Sequence, residues 1–141
     1  MGDPGRCGAL TVAIPDLQGR LRAFAAERDW ERFHTPKNLV MALTGEVGEL
    51  TELFQWRTEQ ESARVMADPE LAGAVRDEMA DVLAYLLRQA DVLGVDLESA
   101  LIEKIAKNAA KYPVDTSRSV ATKYTDLPAP DLPAPGAEPL G

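Results

Sequence analysis

Two pairs of carboxylates share a spacing that suits chemistry. Glu46 and Glu49 sit in Gly45-Glu46-Val47-Gly48-Glu49-Leu50, and Glu78 and Asp81 in Glu78-Met79-Ala80-Asp81-Val82. Residues three apart are neighbours on one face of a helix, so each segment offers a small carboxylate claw. Two such helices packed antiparallel would turn the claws toward each other. At about 5 Å and an effective dielectric of about 20, two like charges repel by roughly 3 kcal/mol, so four acids together need a proton or a counterion. A hard divalent cation with oxygen ligands is the natural counterion. Zinc prefers thiolate or imidazole, and the chain has one cysteine, Cys7, and one histidine, His34, neither beside the acids. Carboxylate-bridged di-iron bundles use Glu-x-x-His, which neither pair supplies. All-oxygen ligation fits Mg²⁺ or Mn²⁺. Mg²⁺ is commonly held by a few carboxylates together with substrate phosphates, which points to a phosphate-handling enzyme. There is no Gly-x-x-x-x-Gly-Lys-Ser/Thr loop, so phosphates would be held by metal and by Lys or Arg side chains.

The competing reading is a solvated acidic face, for which Glu-x-x-Glu is an ordinary pattern. Against it stands the setting: both pairs lie in segments whose apolar residues recur with a helical period. An acid toward the apolar side of a helix is costly unless paired or metal-bound, and such conflicts between pattern and residue type gather at functional sites. Gly45 and Gly48 add to this. Glycine inside a helix costs roughly 0.5–1 kcal/mol relative to alanine, so two of them beside Glu46 suggest close approach by another helix or a ligand.

Four helical segments position these groups. The first is expected from about Asp16 to Asp29, with Leu17, Leu21, Phe24 and Ala25 on one stripe. The second begins after Thr35, a good N-cap, with Pro36 at its first position. Leu39, Val40, Leu43, Val47, Leu50 and Phe54 carry it to about Trp56. Residues 57–67 read as a loop or distorted turn. Asp68-Pro69 repeats the start signal, and Leu71, Val75, Met79, Val82, Leu83, Leu86 and Leu87 carry the third helix toward Val92. Gly94 is the expected stop. Asp96 caps a fourth helix through Leu97, Leu101 and Ile105 that ends at Pro113. No segment alternates in the manner of a strand, so the expected fold class is all-α, a four-helix bundle. The expected organisation is a flexible tail over residues 1–13, a helical domain over 14–127, and a disordered Pro/Ala-rich tail over 128–141, where proline removes the N–H that helices and sheets need.

The 141 residues suffice for one domain with a core. A net charge of −8 argues against binding a nucleic acid polymer, which depends on neutralising phosphates with Lys and Arg. It does not exclude a small nucleotide bound through metal. One thiol cannot form an intrachain disulfide, no apolar run has the length of a membrane span, and no basic-then-apolar leader opens the chain. The cytoplasm, with no membrane partner, is the expected setting.

The run Glu46-Val-Gly-Glu49-Leu-Thr-Glu-Leu-Phe-Gln-Trp56, followed by Glu78-Met-Ala-Asp81-Val-Leu-Ala-Tyr85, resembles the MazG-like all-α nucleoside triphosphate pyrophosphohydrolases, whose pattern is Glu-x-x-Glu, a spacer, then Glu-x-x-Asp. Phe24-Ala-Ala-Glu-Arg-Asp-Trp30-Glu-Arg-Phe33-His34, the Phe-Gln-Trp and the late Lys123-Tyr-Thr-Asp-Leu are similar to the dCTP pyrophosphatase branch. The resemblance spans about Leu17 to Leu127.

The resemblance implies Mg²⁺-dependent cleavage of a nucleoside triphosphate to the monophosphate and pyrophosphate, with Glu46, Glu49, Glu78 and Asp81 as metal ligands and Glu49 as the base that orients water. It also implies that Trp30 and Trp56 line a base pocket, with Tyr85 and Asn108 nearby. Each of these aromatics reads equally as core packing. Lys104, Asn108 and Lys111 share one face of the fourth helix, either meeting phosphates or forming a solvated cationic face that complements the helix dipole. Lys37 and Asn38 lie at a helix N-terminus, which favours anions. His34 is either a pocket group or a structural one. Vertebrate enzymes of the branch carry histidine where this chain has Leu21. Leucine cannot hydrogen-bond a base or sugar, so base preference stays open between dCTP, its modified analogues and other nucleotides such as dUTP or phosphoribosyl-ATP. A non-catalytic nucleotide-binding module is the alternative of another class. Wide apolar helix faces and the resemblance together imply a homotetramer of two dimers, with a homodimer second.

Overall fold

The computed structural model describes residues 11–121 and 123–127, with Tyr124 described by its backbone alone. The expectations for residues 1–10, including Cys7, and for 128–141 fall outside the described residues. Every regular element among the described residues is helical. The helices are α1 (Ile14–Glu27), α2 (Pro36–Glu52), α3 (Glu59–Ser62), α4 (Pro69–Leu93), α5 (Leu97–Lys111) and α6 (Val114–Ser117). Short 3₁₀ turns occupy Glu31–Phe33, Val65–Ala67 and Tyr124–Asp126.

The chain divides into two compact units, one through Asp96 and one from Leu97 onward. In the first, α4 is the central element and packs against both α2 and α1. Gln18 donates to the carbonyl of Leu87, and Arg22 pairs with Asp91 one turn further along each helix, so α1 and α4 run parallel at this contact. The buried apolar residues are Ala25, Leu39, Val65, Ala72, Val75, Leu87 and Ala90. This core is thin, and large apolar side chains on the same helices remain exposed, among them Met41, Val47, Met79, Leu83 and Leu86. In the second unit, α5 presents Leu101, Ile102 and Ile105 to solvent.

The local signals explain most boundaries. The Thr35 hydroxyl accepts from the Asn38 backbone N–H, and Pro36 opens α2. Asp68 Oδ1 accepts from the N–H groups of Glu70 and Leu71, capping α4. At the far end of α4, Gly94 adopts φ +67°, a conformation glycine reaches without Cβ strain. The N–H of Val95 returns to Ala90 and that of Gly94 to Asp91, closing the helix in a Schellman motif.

Three elements depart from expectation. α1 begins at Ile14 rather than Asp16, because Asp16 acts as an N3 acceptor for the Ala13 N–H. α2 stops at Glu52 rather than near Trp56, where the backbone tightens through Phe54 N–H to Thr51 and Arg57 N–H to Phe54. Within 57–67 the structure has α3, opened by a reciprocal capping box between Thr58 and Glu61. No described helix of this chain makes the close approach expected at Gly45 and Gly48: a Cβ built at either meets nothing within 4 Å. Both glycines face open space within this chain.

Candidate metal and nucleotide site

The two claws meet where α2 packs on α4. Glu46, Glu49 and Glu78 each offer a carboxylate oxygen within 4.8 Å of the others. Glu49 is the exposed member, and the other two are half-buried. Glu46 is held above its ordinary value of 4.5, first by partial burial, then by a hydrogen bond with Glu49 and the charges of Glu49, Asp81 and Glu78. Glu78 is raised as well, by desolvation first and then by the charges of Glu49 and Asp81 and a hydrogen bond with Glu49. Glu49 thus stands close enough to perturb both neighbours. Glu78 Oε2 is buried without a hydrogen-bond partner. A buried carboxylate oxygen left unsatisfied is costly. All-oxygen donors at this spacing, with one lone pair unclaimed, form a group able to hold a hard divalent cation. Asp81 is not within that tightest cluster, but its charge reaches Glu46 and Glu78, and its side chain helps line a neighbouring cavity.

That cavity, about 290 Å³, lies between α1, α4 and the turn that joins α1 to α2. Leu21, Phe24, Trp30 and Ala84 form its apolar lining, and His34, Asp81, Tyr85 and Arg88 its polar groups. The placement of Trp30 begins with Asp29, whose φ of 53° turns the chain sharply out of α1; aspartate tolerates this left-handed conformation better than most residues. The Trp30 N–H then returns to the carbonyl of Ala25. The Phe24 ring meets Trp30 edge-on, with centroids 5.8 Å apart and planes at 71°, and the Arg28 guanidinium covers Phe24 at 3.6 Å from its centroid. Trp30 is therefore supported on one side while nearly half its surface stays open.

A charged network backs the cavity. Arg88 donates from Nε to His34 Nδ1 at 3.1 Å and from Nη1 to Asp91 Oδ2 at 2.8 Å. Arg22 grips the same carboxylate through Nε at 3.1 Å and Nη2 at 2.7 Å. The Arg22 hydrogen bond is the main reason the Asp91 carboxyl is held below its ordinary 3.8. Burial, then the Arg88 charge, pushes His34 below 6.5. As the single histidine, it is expected to titrate below 6.5 in an NMR pH series; a midpoint at or above that value contradicts the arrangement.

The structure thus gathers Glu46, Glu49 and Glu78, and brings Asp81 together with Trp30, His34 and Tyr85. Trp56 stands apart, 88% exposed and outside the cavity lining. Lys37 is exposed at the start of α2, and the Asn38 amide donates to the carbonyl of Phe33, bracing the preceding turn. Lys104, Asn108 and Lys111 lie on α5 in the second unit. Sequence reading passed over Arg88, Asp91 and Arg22. The available signal was Arg88 and Asp91 at i,i+3 on an otherwise apolar stretch of α4, an ion-pair spacing that lowers the cost of burial.

A helical pair that gathers carboxylates beside an aromatic-walled cavity has chemistry suited to a nucleotide held through a metal ion, and similarity to known proteins points the same way. The MazG-like family pattern matches residues 42–127, and the chain belongs to that family. It is 53% identical over 115 residues to dCTP pyrophosphatase 1 of Rattus norvegicus, covering 82% of this chain and 68% of the rat protein. It is 50% identical over 126 residues to dCTP pyrophosphatase 1 of Homo sapiens, covering 89% of this chain and 74% of the human one. Among solved structures, a pyrophosphatase from Archaeoglobus fulgidus superposes with a TM-score of 0.66 at 42% identity, covering 71% of this chain and 92% of that one.

Proposed function

We propose that this chain is a Mg²⁺-dependent nucleoside triphosphate pyrophosphohydrolase that converts dCTP, or modified dCTP analogues, to the monophosphate and pyrophosphate, clearing them from the nucleotide pool. The observation that carries the reading is the convergence of Glu46, Glu49 and Glu78 within 4.8 Å, with Asp81 joining them to a cavity walled by Trp30. The names of the rat and human relatives support the choice of dCTP.

In this reading Glu46, Glu49, Glu78 and Asp81 hold Mg²⁺, with Mn²⁺ an acceptable substitute. When bound, the ion offsets triphosphate charge and acidifies a water. Glu49, the exposed acid between Glu46 and Glu78, accepts the proton of the attacking water as the α–β phosphoanhydride is hydrolysed. Trp30 supplies a flat face for the base, and Tyr85 and His34 supply polar edges. Lys104, Asn108, Lys111, Lys37, Asn38 and Trp56 are further candidates for contact with the nucleotide. The exposed Met41, Val47, Met79, Leu83 and Leu86 favour assembly with further copies, a homotetramer first and a homodimer second. No helix among the described residues is long and apolar enough to cross a membrane, and the cytoplasm is the proposed compartment.

A panel of nucleoside triphosphates and phosphoribosyl-ATP, assayed with Mg²⁺ for pyrophosphate release, tests the reading. The highest kcat/KM is expected for dCTP or an analogue. Activity confined to dUTP or phosphoribosyl-ATP would move the substrate, and no release from any would leave a nucleotide-binding module. Base stacking on an aromatic contributes about 1–3 kcal/mol, so Trp30→Ala is expected to raise KM by roughly ten- to a hundredfold with a smaller change in kcat.

A further inference from the structure

Arg88 is the one charged residue buried among the described residues. Its Nε donates to His34 Nδ1, and its Nη1 to Asp91. A guanidinium is only ever a donor. His34 Nδ1 must therefore supply the lone pair, and a neutral ring must carry its proton on Nε2. His34 and Arg88 both line the cavity, and among the described residues no protein group accepts from Nε2. Asp91 is in turn gripped by Arg22, so the orientation of Arg88 is fixed from behind.

We propose that Arg88 is a positioning residue that locks His34 as an Nε2–H donor for a hydrogen-bond acceptor on the base of the bound nucleotide, a ring nitrogen or carbonyl oxygen. The base contact rests on the nucleotide reading above; the tautomer lock does not. Stacking on Trp30 accepts any base, and Leu21 on the same wall has no polar atom. A donor of fixed direction supplies the selection that these two residues cannot, because a base lacking an acceptor there would leave the N–H unsatisfied.

The test combines spectroscopy and kinetics on the full chain. Long-range ¹⁵N–¹H spectra of the single imidazole should show Nδ1 unprotonated and Nε2 protonated near neutral pH, and adding dCMP with Mg²⁺ should shift Nε2 while Nδ1 stays unprotonated. Arg88→Met should give a mixture of tautomers and raise KM for dCTP roughly tenfold, with a smaller effect on kcat. The penalty should shrink with the base-free deoxyribose triphosphate. Arg88→Lys, which keeps a donor and a charge, should lose less. If Arg88→Met does not fold, the wild-type spectra and Arg88→Lys decide. A proton on Nδ1 in the wild type, or a folded Arg88→Met with unchanged tautomer and KM, overturns the lock. An unprotonated Nδ1 in a protein that cleaves no triphosphate upholds the lock and overturns the base contact, separating it from failure of the functional reading.

Discussion

Glu46→Gln is expected to lower kcat for pyrophosphate release by about 10²–10³, the scale on which removing one preorganised electrostatic group acts, while making the metal-free protein more stable. Both effects have one origin. Glu46 is partly desolvated and crowded by Glu49, Asp81 and Glu78, so its ionised form is disfavoured in the folded chain unless a cation is present. Glutamine keeps the shape and removes one of the like charges. Because the folded value lies above the ordinary 4.5, the handicap of the wild type is absent below 4.5, grows as pH rises from there to the folded value, and is constant above it. The stability advantage of Glu46→Gln should follow that curve, vanishing in acid and largest at neutral pH. Saturating Mg²⁺ should reverse the order, since a ligand that binds only the folded state stabilises in proportion to its affinity. Thermal melts across pH, with and without Mg²⁺, check both signs. An acid that merely decorated a solvated surface would show neither the pH trend nor the reversal.

Asp91→Ala should be the most destabilising single change in the network behind the cavity, costing about 2–3 kcal/mol. Deleting one partner of a buried ion pair typically costs about 3–5 kcal/mol, and the side-chain exposures of 10% for Arg88 and 16% for Asp91 place this pair at the accessible end of that class. The loss comes from stranding the Arg88 guanidinium, whose Nε donates to the uncharged acceptor Nδ1 of His34 rather than to a carboxylate. Arg22 is half exposed, and Arg22→Ala should cost far less, as solvent-facing ion pairs do. Asp91 is held below 3.8, so the advantage of the wild type over Asp91→Ala should be complete above pH 3.8 and fade as pH falls through the lower folded value. Denaturant titrations at neutral and acid pH measure it; equal losses from Asp91→Ala and Arg22→Ala would contradict this account.

The helices were legible because their signals are local. Thr35-Pro36, Asp68-Pro69 and Gly94 each act through backbone hydrogen bonds within a few residues, and such chemistry is written in order along the chain. The capping box of Thr58 and Glu61 was equally local but too short to show an apolar period. The pairing of Glu46 and Glu49 with Glu78 could be anticipated because identical spacing on two amphipathic helices leaves few ways to pack them. The Arg88–His34 contact could not. It joins residues 54 positions apart, and nothing in either neighbourhood announces the other. The glycines mark no helix contact within the described chain: their cost inside a helix is real, but what fills the space beside them is a property of surroundings that no local pattern records.

In the proposed function, α2 and α4 together build one cation-binding centre. Crystals soaked in Mn²⁺ and measured for anomalous scattering test it most directly. A peak within coordination distance of Glu46, Glu49 and Glu78, with Asp81 on its border, and lost in Glu46→Gln, is the predicted result. Saturating Mn²⁺ that leaves these carboxylates empty, in a protein that still releases pyrophosphate, would contradict it.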